Sequence, residues 1–202
     1  MTNYGYDSVE LKKILDSNIL IYSLLEEHPA SKVCEALILS YKDKFEWITS
    51  PITFIETYYV LLNIYEQESS QILQKIQQIL KTSINVKDLD KNLVLLSLEK
   101  ALNHQIDTND SILLQIGIDF GISIIATDDK KLIEVCKNYG IICENPITED
   151  IRNEMTIWEQ KNIPEKGLRR IYFNIHKWLL KNNNKIADEF KLKTKDFTHL
   201  IS

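Results

Sequence analysis

Acidic side chains stand at four separated points of the sequence, each beside a predicted strand end or helix start. They are Asp16, Glu56, Asp110 and the pair Asp128-Asp129. Carboxylates gathered in one pocket repel one another, which raises their pKa values unless a cation neutralises them. Oxygen ligands without histidine or cysteine favour Mg²⁺ or Mn²⁺ over zinc. Because Mg²⁺ keeps waters and takes phosphate oxygens, such a site suits hydrolysis of a phosphodiester.

Most of these acidic residues also have a structural explanation. Asp16 precedes Ser17-Asn18 and an apolar helical run, and all three residue types cap helices well. Asp110 ends a row of good capping residues at 107–110, and negative charge is favoured at a helix start. Asp128-Asp129 fit an ordinary solvated turn. A metal site is therefore indicated by the set, and by no single residue alone.

Glu56 is the acidic residue that a structural role explains least well. Its helical neighbours on the same face include Ile52, Tyr59 and Val60. No basic side chain lies within one helical turn of it in the sequence, so a carboxylate there would lose hydration at a cost of several kcal/mol. A salt bridge from a distant segment is the alternative to metal binding.

Short β-like runs alternate with longer helical patterns, the order expected when parallel strands are joined by helical crossovers. We therefore predict an α/β fold with the acidic residues near the carboxyl ends of the strands, where ligands collect in parallel sheets. The predicted strands cover residues 13–15, 46–49, 84–86, 122–126 and 141–143. The predicted helices begin at Ile19, Pro51 and Ser69 or cover residues 30–43, 90–103, 110–120 and 130–139.

The segments that carry the acidic residues resemble the PIN-domain ribonucleases, including the VapC-type toxins, over residues 11 to about 146. The first segment is similar to the family's strand-end motif of Asp, Ser or Thr, and Asn. The fourth is similar to its motif of Thr, any residue and Asp, a register that selects Asp129 over Asp128. The order and spacing of these short motifs are specific when taken together. The four segments are Leu15–Ile21, Ser50–Glu56, Asp110–Gly117 and Ala126–Asp129.

The resemblance implies a three-layer α/β/α domain with a mostly parallel central sheet. It implies an endoribonuclease acting on single-stranded RNA or a structured loop, with an antitoxin protein and a second copy of the chain as candidate partners. Ser111 and Gln115 depart from the family pattern, which commonly has small residues there. The implied catalytic residues and ligands of Mg²⁺ or Mn²⁺ are Asp16, Glu56, Asp110 and Asp129, with Asn18 and Thr127 orienting carboxylates or phosphate.

The charge is distributed unevenly along the chain. The whole chain carries −5, whereas residues 151–202 carry +5, which leaves −10 for the first 150 residues. We predict a nuclease domain at residues 1–148 and a basic helical extension at residues 149–202, including an amphipathic helix at about 168–180. The extension either supplies phosphate contacts to RNA or packs on the domain with its basic face in solvent. The basic residues concerned are Lys166, Arg169, Arg170, Lys177 and Lys181.

Other classes of function fit the sequence less well. With five glycines and no GxGxxG motif, the chain lacks the signature of a dinucleotide-binding protein. A phosphoacceptor receiver domain expects an acidic pair after the first strand and a lysine after the last, but Asp16 stands alone and Glu144 follows the last strand. A non-catalytic RNA-binding or scaffold protein remains the alternative, although all four acidic positions are occupied.

The three cysteines, Cys34, Cys136 and Cys143, match no zinc-binding spacing. We expect reduced core thiols, with a disulfide or metal ligation as less favoured alternatives. The sequence has no run of about 20 apolar residues and does not start like a signal peptide. We therefore expect a cytoplasmic protein.

Overall fold

The computed structural model of the protein describes residues 11–40, 45–163 and 170–195. Within these ranges, five short strands are interspersed with ten helices. The strands are β1 (Leu11–Leu15), β2 (Phe45–Thr49), β3 (Asn85–Val86), β4 (Ile124–Ala126) and β5 (Ile142–Glu144). The helices are α1 (Ser17–Ser23), α2 (Ser31–Ser40), α3 (Pro51–Asn63), α4 (Ser69–Leu80), α5 (Lys91–His104), α6 (Thr108–Phe120), α7 (Lys130–Lys137), α8 (Glu149–Asn162), α9 (Arg170–Asn182) and α10 (Asn184–Lys195).

The five strands form one parallel sheet in the order β3-β2-β1-β4-β5. Strand β1 is central, because Ile14 pairs with Ile48 of β2 on one side and with Ile125 of β4 on the other. The predicted α/β fold with a parallel sheet is confirmed, and each predicted strand overlaps an observed one. Asp16 directly follows β1 and so lies at the carboxyl edge of the sheet, where parallel folds bind ligands.

Helices cover both faces of the sheet. Since neighbouring residues of a strand point to opposite faces, adjacent residues of β1 pack against different helices. Leu15 belongs to an apolar cluster that includes buried side chains of α1 to α4. Ile14 belongs to a second cluster, with buried side chains of α5 to α7. Both residues are fully buried, as expected for a parallel sheet that is covered on both faces. The result is the three-layer α/β/α arrangement.

Helix α3 begins with a polar cap that fixes its direction of departure from β2. The Ser50 side chain accepts a hydrogen bond from the Thr53 N–H at 3.3 Å, and Pro51 occupies the first turn. Because the cap sets where the helix starts, Glu56 follows in the second turn of α3, close to the edge at which β2 ends.

Helix α6 packs closely against the sheet at Gly117. A Cβ atom there would lie 3.1 Å from Ile141 Cδ1 and 3.3 Å from Ile14 Cδ1, so glycine permits this approach. The helix ends at Gly121, whose φ of 63° lies in the left-handed region that glycine adopts readily. Asp110, in the first turn of the same helix, is thereby held at the edge of the sheet.

The chain divides into two compact units, Met1–Met155 and Thr156–Ser202. In the second unit, α9 packs against α10, and Tyr172 meets Phe190 edge to face with ring centroids 6.3 Å apart. The domain boundary that we place at residue 148 from the sequence stays a prediction. In the part of the chain described here, no helix has the length and apolar character needed to cross a membrane.

Candidate active site

The four predicted acidic residues come from four different segments of the chain. Asp16 follows β1, Asp129 follows β4 at the start of α7, Glu56 lies in α3 and Asp110 lies in α6. The pKa of Asp110 is raised to about 8, mainly by burial and in addition by the negative charges of Asp16, Asp129, Asp107 and Glu56, in that order of effect. The fold thus brings Asp16, Glu56 and Asp129 within electrostatic reach of Asp110.

Asp16 is almost completely buried and is surrounded by hydrogen-bond donors. Its Oδ1 accepts from the backbone N–H of Ser17 at 2.6 Å and from the Ser17 hydroxyl at 3.3 Å. Its Oδ2 accepts from Asn18 Nδ2 at 2.7 Å and from Thr127 Oγ1 at 2.6 Å. Since every partner is a donor, the hydrogen bonds are those of an ionised carboxylate.

Burial opposes that ionised state. The pKa of Asp16 is raised to about 6, because burial, with a smaller contribution from the charge of Glu56, outweighs the lowering effect of the hydrogen bonds from Thr127 and Ser17. The Asp110 carboxylate has no such support, because no hydrogen-bond donor among the described residues reaches it. Both carboxylates would be stabilised in their charged form by a nearby cation.

Two polar residues tie the acidic segments together. Thr127 Oγ1 donates to Asp16, accepts from Asn18 Nδ2 at 3.2 Å, and accepts from the backbone N–H of Asp129 at 3.0 Å. Asn18 also accepts, through Oδ1, from the backbone N–H of Asp128 at 3.1 Å. The two residues that the family resemblance implied as polar supports therefore contact the segments carrying Asp16 and Asp129.

Glu56 has a partner that the sequence analysis missed. Its carboxylate accepts a short hydrogen bond from Asn109 Nδ2, while Asn109 Oδ1 is buried and has no hydrogen bond within the described residues. The expectation of a desolvated helix face around Glu56 holds only in part, because Tyr59 on that face is 62% exposed. The only hint of this contact in the sequence is that the residue directly before Asp110 is the polar Asn109.

Asp128 and Asp129 have different surroundings. Arg152 donates to both oxygens of Asp128, through Nη1 at 3.2 Å and Nη2 at 2.5 Å, and Asn145 Nδ2 donates to Asp128 Oδ1 at 2.8 Å. Asp129 caps α7 through Oδ1, which accepts from the Leu132 N–H at 2.8 Å. Asp128 is therefore paired with an arginine, whereas Asp129 lies close enough to Asp110 to raise the pKa of that residue.

A cleft of about 400 Å³ opens beside these residues. It combines carboxylates with three cationic side chains, two of them in the first turn of α7 and one in α8. This mixture can hold a cation and a polyanion at the same time, and its basic residues were not identified from the sequence. The cleft is lined by Asp107, Asp110, Asp128, Asp129, Lys130, Lys131 and Arg152.

The residues that the structure describes suit a partly hydrated Mg²⁺ or Mn²⁺ ion, and they do not form a closed site in which protein ligands surround a metal. Within the described ranges, no three acidic, histidine or cysteine side chains converge tightly enough to enclose an ion. Mg²⁺ needs no such cage, because it usually binds one or two protein carboxylates and keeps several waters. Asp110, which has a raised pKa and receives no hydrogen bond from any described residue, is the side chain whose charge such an ion would stabilise most.

The raised pKa values predict that the metal-free protein loses stability as pH rises. In the folded state, Asp16 and Asp110 titrate near 6 and 8 instead of 3.8. Their contribution to the free energy of unfolding is therefore complete below about pH 4 and is lost as pH rises through the folded values, by roughly 3 kcal/mol for buried Asp16. We expect the Tm in EDTA to fall by several degrees between about pH 5 and pH 8.

Differential scanning calorimetry with and without Mg²⁺ checks this expectation. Bound Mg²⁺ should raise the Tm more at high pH than at low pH, because it competes with protons for the same carboxylates. Asp110→Asn should flatten the upper part of the pH profile. The control Asp119→Asn, in the last turn of α6, should leave it unchanged. A Tm in EDTA that rises with pH over this range would contradict the assignment.

Three comparisons relate this chain to known proteins. The family model described as PIN domain matches residues 13–138, well over half of the chain. The solved structure of VapC20 from Mycobacterium tuberculosis, described as a sarcin-ricin loop cleaving toxin, superposes with a TM-score of 0.53 at 14% identity, covering 61% of this chain and 94% of that one. A search of curated protein sequences gives no significant match.

Two further solved structures are similar at the same level. VapBC2 from Rickettsia felis, bound to a DNA fragment from their promoter, gives a TM-score of 0.52 at 16% identity and covers 67% of this chain and 98% of that one. VapBC-1 from nontypeable Haemophilus influenzae gives 0.51 at 16% identity, with 68% and 100% covered. At such identities the structural likeness establishes the fold.

Proposed function

The chain belongs to the PIN-domain family, and on that premise we propose that it is a divalent-metal-dependent endoribonuclease of the VapC toxin type. The observation that carries the proposal is the acidic cluster at the carboxyl edge of the sheet. Four segments of the chain contribute one carboxylate each, and their mutual repulsion together with burial holds the pKa of Asp110 at about 8. Such a cluster is stable in its charged form only with a cation.

In this proposal, Asp16, Glu56, Asp110 and Asp129 hold Mg²⁺ or Mn²⁺ together with its waters. When bound at these carboxylates, the ion would supply a water of lowered pKa and positive charge beside the phosphate and the leaving 3′ oxygen. Thr127 fixes the separation of the Asp16 and Asp129 segments through its two hydrogen bonds. Asp129 is fixed in direction because its Oδ1 is held by the first turn of α7.

The first 150 residues carry a net charge of −10, which would repel a polyanionic RNA. The basic side chains of the cleft supply positive charge beside the acidic cluster. Lys130 and Lys131 are exposed at the start of α7, and Arg152 faces the same cleft. We assign to them contacts with the phosphates of a single-stranded or looped RNA, which would otherwise be repelled by the acidic cluster.

Contacts from the second compact unit remain part of the proposal. Lys177 and Lys181 are exposed on α9 and carry charge suitable for RNA phosphates. Lys166 and Arg169 lie outside the described residues, as does the side chain of Arg170. On the strength of the family alone, we also propose an antitoxin protein as partner, a homodimer as the assembly and the cytoplasm as the location.

Cleavage of RNA by the purified protein tests the proposed function directly. We expect end-labelled single-stranded and hairpin RNAs to be cut with Mg²⁺ or Mn²⁺ present, and the rate to fall at least ~100-fold in EDTA, because the acidic cluster needs the ion for charge stabilisation. Gel electrophoresis of the products measures this. Equal cleavage in all conditions would contradict the metallonuclease, and RNA binding without cleavage would support a non-catalytic RNA-binding protein.

A further inference from the structure

Two of the three cysteines lie against each other at the turn between α7 and β5. Cys136 is in the last turn of α7 and Cys143 is in the middle of β5. The chain reverses between them through Gly140, whose φ is +67°, and the Ile141 N–H donates to the Cys136 carbonyl at 3.1 Å. The same reversal packs Cys143 against the apolar cluster to which Cys136 belongs, where the two thiols interact.

The two thiols differ in accessibility and in proton affinity. Cys136 is fully buried in the apolar cluster of α5 to α7, whereas Cys143 packs on that cluster and is only half-buried. The Cys136 S–H donates to Cys143, which lowers the pKa of Cys143 and raises that of Cys136, and burial raises the latter further. Oxidant-sensitive cysteines typically combine an accessible thiolate with a second thiol in contact.

Cys34 provides a contrast within the same protein. It belongs to the apolar cluster on the other face of the sheet and is fully buried. Its pKa is raised to about 12, mainly by burial and to a smaller extent by the charge of Asp128. A thiol that is inaccessible and protonated is a poor nucleophile, so Cys34 should be inert where the contacting pair reacts.

We propose that Cys136 and Cys143 are an oxidative modification site, at which a peroxide forms a reversible intramolecular disulfide. The Cys143 thiolate attacks one peroxide oxygen and breaks the O–O bond, giving a sulfenic acid and, after protonation, one water. The Cys136 sulfur then attacks the Cys143 sulfur. The S–S bond forms, the S–O bond breaks, and the hydroxide leaves with the Cys136 proton as a second water. The two thiols lose two electrons, which the peroxide takes up.

The bond would join the end of α7 to the edge strand β5. Since Asp129 caps the start of α7, oxidation would restrain the helix at the end opposite to one of the acidic residues. Thiol reductants reverse the modification by exchange through a mixed disulfide. The site rests on the position of the two thiols and is independent of the proposed nuclease activity.

Peptide mapping of the full-length protein tests the proposal. The protein is treated with hydrogen peroxide, denatured, alkylated at its remaining thiols, digested with trypsin and analysed by mass spectrometry without reduction. Cleavage after Lys137 places the two cysteines on separate peptides, 132–137 and 138–152, which stay together only through a disulfide. We expect the two peptides to be joined in chains that are not crosslinked to each other and to be separated by dithiothreitol. Cys34 should be alkylated in every sample.

Three variants sharpen the result. Cys136→Ala should leave Cys143 as a sulfenic acid that dimedone traps, whereas Cys143→Ser should leave Cys136 reduced, because the accessible thiol reacts first. Cys34→Ala is the matched control and should give the wild-type peptide map. The proposal is overturned if Cys34 is oxidised as readily as Cys143, if Cys143 stays alkylatable, or if the peptides are joined only between two chains. The wild-type map decides the matter even if a variant fails to fold.

Discussion

Replacing Asp16 with asparagine is expected to lower the rate of RNA cleavage about 10³-fold, which corresponds to roughly 4 kcal/mol of lost transition-state stabilisation. Asparagine keeps the size of the side chain and can still accept the Ser17 N–H bond through Oδ1. It removes the charge, however, and turns an NH₂ group toward Asn18 and Thr127, which both donate at this position. Single-turnover cleavage with saturating Mg²⁺ measures the effect.

The matched control for this variant is Asp119→Asn. Asp119 lies at the end of α6 opposite Asp110, is exposed, and accepts a hydrogen bond from Gln115 at 2.7 Å. Its replacement should leave cleavage within a factor of about two of the wild type, because surface changes of this kind affect stability little. Both variants are purified in the same way. If Asp16→Asn cleaved as fast as Asp119→Asn, the activity would come from another site or from a contaminating nuclease.

Local sequence rules pointed to Asp16 and to the pair Asp128-Asp129 because they follow short apolar strands, and the family resemblance selected Asp129 from the pair. Both residues cap a helix, since Asp16 accepts from the Ser17 N–H and Asp129 from the Leu132 N–H. A helix cap is the alternative explanation that the sequence offers for Asp16, whereas for Asp129 it offers a solvated turn. Capping does not exclude chemistry, because it occupies only Oδ1 of Asp129. These caps differ from ordinary helix caps because acidic residues from distant parts of the sequence lie close to them.

The contacts that local patterns could not predict are those between distant segments. Glu56 meets Asn109 and Asp128 meets Arg152, and neither pair shares a helix or a strand. Such pairs depend on the crossing of helices over the sheet, which hydrophobic periodicity does not specify. The basic side chains of the cleft could not be predicted for the same reason. In the sequence, Lys130 and Lys131 only follow an acidic pair, and Arg152 lies in a later helix.

Replacing Arg152 with alanine is expected to destabilise the protein by about 2–4 kcal/mol. The pair is not fully buried, with 25% of the Arg152 side chain and 9% of the Asp128 side chain exposed, so the effect should fall at or below the range for removing one partner of a buried pair. The loss arises mainly because Asp128 would keep a largely desolvated charge beside Asp129. Urea denaturation of wild type and variant measures the free energy of unfolding.

A double-mutant cycle with Asp128→Asn and Arg152→Met separates the pair from general loss of packing. Adding Asp128→Asn should restore much of the stability lost in Arg152→Met, because no charge is then left without a partner. Additive effects of the two changes would contradict the ion pair as the source. Since Arg152 lies beyond residue 148, a chain shortened at that boundary would lose this contact together with the basic extension. The role of residues 156–202 in RNA binding must therefore be tested in a protein that retains Arg152.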